Sequence, residues 1–293
     1  MITATFIGLG VMGYPMAGHL AEAGLTVRVW NRSPEKSLQW TKEYSGTACT
    51  SIPEAVKGAD FVITCVGADK DLIAVYEGEN GILAHAKPGA VLVDHTTASA
   101  GVAERLDQAA NSKGMGFIDA PVSGGQQGAQ KGQLTIMCGG SEADYGKAQP
   151  ILQHYARALN LMGPAGSGQK AKMVNQIAIA GLVQGLSEAL HFAEQANLDV
   201  KKVVDVISKG AAQSWQMENR SETMIDGEFD HGFAVDWMRK DLGICLDEAR
   251  KVNASLPVTA LVDQFYGDIQ EMGGKRWDTS SLIQRLRKFR QSK

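Results

Sequence analysis

The chain has 293 residues, 44% of them hydrophobic and 21% charged, with a formal net charge of −3. At roughly 150 residues per domain this length predicts two domains, with one large α/β domain as the alternative, and the composition excludes both a disordered chain and a small disulfide-stapled fold. The slightly acidic balance excludes the basic footprint of an intrinsic nucleic-acid binder.

From the N-terminus, β-branched runs alternate with helical or turn-rich stretches, and Thr3–Ile7, Thr26–Trp30, 61–66, 90–94 and Gly116–Asp119 read as strands. Such alternation predicts βαβ units and an α/β domain with a doubly wound, mostly parallel sheet over 1–163. After Gly163-Pro164-Ala165-Gly166-Ser167-Gly168 the pattern turns helical, which predicts a boundary there and a second domain over 164–293. Its longest helix is predicted over 170–196. That helix carries small residues at Ala178, Gly181 and Gly185. Each glycine costs about 1 kcal/mol inside a helix, so the pair predicts that another element approaches closely. Further helices are predicted over Val200–Ile207, 214–224, Val235–Val252, Pro257–Glu271 and 280–289. The most apolar stretch, 177–192, contains Gln184 and Glu188 and falls short of the ~20 apolar residues of a membrane span. The opening MITATFIGLG has no basic segment before its apolar run and is expected to be mature sequence.

The first strand runs into Gly8-Leu9-Gly10-Val11-Met12-Gly13, and a helical pattern follows over 12–22. A strand before and a helix after are the context in which GxGxxG marks a dinucleotide site. Gly8 makes the tight turn, Gly10 leaves room for a pyrophosphate, and Gly13 lets helix pack on strand. The helix N-terminus offers N–H groups and the positive dipole end to the anion. The second strand ends in Asn31-Arg32-Ser33, where an NAD-specific site keeps an acid. Asn31 replaces that acid, Arg32 can pair with a 2′-phosphate, and Ser33 can donate to it, which favours NADP and leaves NAD possible. The alternative makes Arg32 a solvated cation and Ser33 the cap of a helix starting at Pro34.

Four motifs follow one another in order: Phe6 to Gly13 with Pro15-Met16; Asp119-Ala120-Pro121-Val122-Ser123-Gly124-Gly125; Gly166-Ser167-Gly168 with Lys172 and Asn175; and Lys240-Asp241-Leu242. In these the chain resembles, over nearly its whole length, the β-hydroxyacid dehydrogenase family. That group includes 3-hydroxyisobutyrate dehydrogenase, tartronate semialdehyde reductase and the glyoxylate/succinic semialdehyde reductases. The resemblance implies an N-terminal Rossmann domain, a long interdomain helix and an all-α C-terminal domain, with the active site between them. It also implies that Lys172 is the catalytic acid and base, its pKa lowered by burial beside a cationic nicotinamide. Asn175, three residues on, would orient the substrate or the lysine. Ser123, Gly124 and Gly125 would hold the substrate carboxylate, as an alternative to an ordinary glycine turn. Val66 and Gly67 would line the adenine-ribose side of the cofactor, and Thr97 would lie near the nicotinamide ribose. His95-Thr96-Thr97 stands where many members carry a methionine before the two hydroxyl residues. Lys240 would close over the cofactor with Asp241 orienting it, unless the two are only an exposed ion pair.

The expected substrate is therefore a small carboxylate-bearing aldehyde or hydroxy acid, acted on by a cytoplasmic homodimer or homotetramer. The alternatives are an imine reductase of the same superfamily, against which Lys172 argues, and a non-catalytic dinucleotide sensor, which needs none of Lys172, Asn175 and Ser123. A phosphogluconate-type decarboxylating dehydrogenase has a considerably longer chain. Cys49, Cys65, Cys138 and Cys245 show neither zinc-knuckle nor disulfide-scaffold spacing, which fits a reducing compartment. The six histidines show no ligand spacing, so no metal is expected. Trp215 and Phe233 could line the substrate site or pack in the core. The basic residues Arg285, Arg287, Lys288, Arg290 and Lys293 suit a helix C-terminus.

Overall fold

A computed structural model describes residues 2–291. β1 (Thr3–Ile7) leads into α1 (Gly13–Glu22), β2 (Thr26–Trp30), α2 (Pro34–Glu43) and the two-residue β3 (Thr47–Ala48). Next come α3 (Ile52–Val56), β4 (Phe61–Thr64), α4 (Asp69–Tyr76), α5 (Ile82–His85), β5 (Val91–Asp94), α6 (Ala100–Asn111) and β6 (Gly116–Asp119). The α/β part closes with β7 (Val122–Ser123), α7 (Gly125–Gln130), β8 (Leu134–Gly140), α8 (Glu142–Leu152) and β9 (Ala156–Gly163). The rest is helical: α9 (Ser167–Gln195), α10 (Val200–Ile207), α11 (Trp215–Asp226), α12 (Val235–Val252), α13 (Pro257–Glu271) and α14 (Leu282–Gln291).

The sheet order is β3-β2-β1-β4-β5-β6-β8-β7, with β9 paired to β8. β3 to β6 pair in parallel, and β8 runs antiparallel to β6. Both faces of the central strands are covered, and β4, β5 and β6 are buried along their whole length. In β4, Phe61 and Ile63 join Met16 and Leu20 of α1 in one core, while Val62 joins Leu106 of α6 in the other. The order reverses between β1 and β4, and ligands in such sheets bind beyond the strand C-termini at that point.

Three of the expected strands match β1, β2 and β6, whereas 61–66 stops at Thr64 and 90–94 begins at Val91. The short β3 and β7 carry too few residues to show a period. β8 is mostly buried, so nothing alternates along it, and it ends in glycines. β9 does alternate, with Leu159 and Leu161 packed on the core, but two repeats are too few to stand out.

One compact unit ends at Lys172 and a second begins at Met173, so α9 starts in the first and continues through the second. In the second unit Ala180 and Val183 pack with residues of α12 and α13, and Leu186 and Leu190 with Met217 and Met224. This leaves the small-residue stripe on the outer side of α9. Ala178 and Gly185 are exposed, a Cβ at Gly185 would meet nothing within 4 Å, and at Gly181 only Val258 Cγ1 lies near, at 3.9 Å. The close approach expected there is absent among the described residues. The basic tail lies in α14, where Arg285 pairs with Asp268 and Arg287 with Glu194. Lys288 is exposed; the Arg290 side chain and Lys293 lie outside the described residues.

Candidate active site

Each glycine after β1 has its own reason. Gly8 has φ +98°, and a Cβ on it would stand 2.2 Å from the Cys65 carbonyl oxygen. A Cβ on Gly13 would stand 2.0 Å from the Gly8 carbonyl oxygen and 2.9 Å from Phe6 Cε1. At Gly10, which is exposed, a Cβ would meet nothing within 4 Å. That open space lies at the start of α1, where Met12 makes no side-chain cap. Val11 is exposed, and Leu9 is buried with its N–H donating to Asn31 Oδ1 at 2.9 Å. The turn therefore fits a pyrophosphate: an open cradle over the N-terminal end of a helix.

Asn31 also donates from Nδ2 to the Ser33 carbonyl at 3.1 Å. An aspartate could accept from Leu9 but could not make this second bond. The Arg32 side chain is 88% exposed, and its Nη1 lies 3.6 Å from Asp71 Oδ1. Ser33 is the N-cap residue of α2, though its side chain makes no capping bond.

Val66 and Gly67 lie in the turn just past β4. The Val66 N–H donates to Thr96 Oγ1 at 2.9 Å, so this buried hydroxyl serves the scaffold, whereas Thr97 is half-buried. Asp94 Oδ1 accepts from Thr64 Oγ1 at 2.7 Å and from the Thr96 N–H at 3.1 Å. Burial pushes the Asp94 carboxyl up to about 7. His95 Nδ1 lies 2.6 Å from the Ala120 carbonyl oxygen and Nε2 2.8 Å from Tyr155 Oη. A carbonyl only accepts, so Nδ1 carries the proton and the tyrosine hydroxyl donates to Nε2. Burial pushes His95 down to about 4 and keeps it neutral.

β6 ends in Asp119, which is buried and pushed by burial up to about 6. It leads through buried Ala120 and Pro121 to half-buried Ser123. Gly124 and Gly125 follow, exposed and with φ of +129° and +61°. On α9, Lys172 is only 7% exposed and shares the packed side of the helix with Gln169, Gln176 and Val183. In the second unit, Asn175 Nδ2 donates to Gln176 Oε1 at 2.8 Å and Gln176 Nε2 to Asp241 Oδ2 at 2.7 Å. Lys240 Nζ lies 3.1 Å from Asp241 Oδ1, and the aspartate side chain is 1% exposed, so this is not a surface ion pair. Trp215 and Phe233 are 48% and 37% exposed and do not pack in the core. No group of three or more His, Cys, Asp or Glu side chains among the described residues is placed to hold a metal ion. Gln169 and Gln176 escaped the sequence reading. Their signal was a polar residue at the apolar phase of a long helix.

Two family profiles cover the chain, that of the NAD binding domain of 6-phosphogluconate dehydrogenase over 3–163 and that for NAD-binding of NADP-dependent 3-hydroxyisobutyrate dehydrogenase over 166–286. The 2-hydroxy-3-oxopropionate reductase of Escherichia coli is 34% identical over 284 residues, which are 96% of each chain. The chain belongs to the 3-hydroxyisobutyrate dehydrogenase family, the β-hydroxyacid dehydrogenases. Within this family it is 57% identical to an uncharacterized oxidoreductase of Shewanella frigidimarina, over 99% of this chain and 100% of that one. A Mycobacterium tuberculosis 3-hydroxyisobutyrate dehydrogenase structure with L-serine matches it with a TM-score of 0.88 and 31% identity, over 98% and 99% of the two chains. As a family member the chain is an NAD(P)-dependent oxidoreductase with a Rossmann domain followed by a helical one. No helix among the described residues is long and apolar enough to cross a membrane.

Proposed function

We propose that this protein interconverts a small carboxylate-bearing semialdehyde or 2-oxo acid and its hydroxy acid, prefers NADP(H), and uses Lys172 as general acid and base. The observation that carries this reading is the burial of Lys172 on a helix whose first turn is bonded to the ends of β5 and β6. A helix lysine with no task points to solvent.

The nicotinamide, when bound, exchanges a hydride with the substrate's carbonyl carbon. In reduction the substrate oxygen gains negative charge, which the Lys172 ammonium stabilises and then protonates. In oxidation the neutral amine takes the hydroxyl proton. The Ser123 hydroxyl and the N–H groups of Gly124 and Gly125 hold the carboxylate, and Asn175 orients the substrate or the lysine.

Residues 8–13 hold the pyrophosphate, and Val66, Gly67, Thr97 and Lys240 hold the rest of the dinucleotide. Asn31, Arg32 and Ser33 receive the 2′-phosphate. Arg32 suits this because its present pairing with Asp71 is a surface contact worth under about 1 kcal/mol and is readily exchanged for a dianion. In this reading residues 1–163 form the domain that holds most of the cofactor, and residues 164–293 supply Lys172, Asn175 and Lys240 together with the contacts of a cytoplasmic homodimer or homotetramer. The exposed Val174, Leu182 and Phe192 of α9 support such contacts.

Initial rates with NADPH and NADH test the proposal against glyoxylate and succinic, tartronate and methylmalonate semialdehydes, with one cyclic imine. Turnover of an aldehyde acid, faster with NADPH, is the expected result. Turnover of the imine alone overturns it in favour of an imine reductase. Cofactor binding with no turnover leaves a sensor.

A further inference from the structure

Two buried polar side chains in the first unit, Asp119 and Gln169, have no part in the chemistry above. Asp119 reaches from the end of β6 to the first turn of α9, where Oδ1 accepts the Gly166 N–H and Oδ2 the Gln169 N–H, each at 2.8 Å. The approach depends on missing side chains. A Cβ on Gly168 would stand 2.8 Å from Asp119 Oδ2, and one on Gly139 would stand 2.4 Å from Asp119 Oδ1. Gln169 then makes a second tie with its own side chain. Oε1 accepts the Ala98 N–H at 3.0 Å, and Nε2 donates to the Thr96 carbonyl at 2.7 Å. Thr97 lies between those two backbone groups.

Lys172 follows Gln169 by three residues, so it stands one turn further along the same side of α9. A helix capped at one point can still roll about its axis. This one is held by its backbone to β6 and by a side chain to the turn after β5, and two ties to separate strand ends remove that freedom. We infer that Asp119 and Gln169 are positioning residues that fix the rotation of α9 and thereby the place of Lys172 relative to Thr97. Neither touches the substrate. The inference rests on Lys172 being the acid and base, and its lever is geometric, since a misplacement of about 1 Å lowers rate about a hundredfold.

The test compares Gln169→Leu, Asp119→Asn, Lys172→Ala and the control Lys170→Ala, whose side chain makes only an exposed ion pair with Glu104. For Gln169→Leu and Asp119→Asn, kcat is expected to fall at least tenfold. KM and the NADPH dissociation constant should stay within about threefold, and the solvent deuterium isotope effect on kcat should rise as proton transfer becomes slower. Lys170→Ala should match wild type. A purely structural role would instead lower Tm and weaken NADPH binding with no change in isotope effect, and that result overturns the inference. So does wild-type kcat in Gln169→Leu while Lys172→Ala is inactive, which leaves the Lys172 reading standing. Wild-type turnover in Lys172→Ala removes both. If Asp119→Asn does not fold, Gln169→Leu decides alone.

Discussion

Lys172 is where a single substitution should separate chemistry from binding. Lys172→Ala is expected to lower kcat by about 10²- to 10⁴-fold, the range of a lost general acid or base. NADPH affinity should be kept, as fluorescence titration would show, and near-wild-type kcat would exclude the lysine from the mechanism. Arg32 governs a different quantity. With its side chain 88% exposed, Arg32→Asp should fold normally and lower the NADPH-to-NADH ratio of kcat/KM at least tenfold; an unchanged ratio would mean the 2′-phosphate is held elsewhere. Position 31 shows the limit of reading one residue at a time. The sequence identifies Asn31 as an absent acid, but its two hydrogen bonds, to Leu9 and Ser33, brace the glycine turn and are visible only in three dimensions.

Among the elements, the turn between β1 and α1 makes the sharpest contrast. Gly10→Ala adds a methyl where nothing lies within 4 Å, whereas Gly13→Ala drives one to 2.0 Å from a carbonyl oxygen. Gly10→Ala should therefore keep its Tm within a degree or two and weaken NADPH binding at least tenfold. Gly13→Ala should lower Tm by several degrees, because the helix must shift off the strand. Thermal melts with and without NADPH check both, and equal effects on stability would refute the division of roles. The same turn was legible in the sequence because strand, glycines and helix are consecutive. The outer stripe of α9 was not. Periodicity gives which residues share a face, but only packing decides that Ala180, Val183, Leu186 and Leu190 face inward while Ala178 and Gly185 face out.

At the scale of the whole molecule, buried titratable groups tie stability to pH with opposite signs. His95 has a folded pKa of about 4, below its ordinary 6.5, so the unfolded chain binds the extra proton between these values. Stability from this group is complete above pH 6.5 and is lost as pH falls toward 4, by up to about 1.4 kcal/mol per unit. Asp94, raised to about 7 from 3.8, works the other way, because the folded chain holds the proton and stability declines as pH rises through that window. Urea unfolding of wild type and His95→Gln should show their difference shrinking from pH 7 to pH 5, and that of Asp94→Asn should show the variant gaining on wild type as pH rises. Parallel curves would mean that neither group titrates on unfolding.

The sequence by itself determined the order of the four motifs, the glycine turn, the helical second half and the family, because these are patterns among near neighbours. Only the tertiary structure decided that Asp119 would bind the N–H groups of Gly166 and Gln169, 47 and 50 residues away, and that Gln176 would link Asn175 to Asp241. Local spacing specifies a strand or a helix. Which buried carboxylate meets which helix end depends on the order of strands in the sheet, and that order is fixed by the packing of the whole domain.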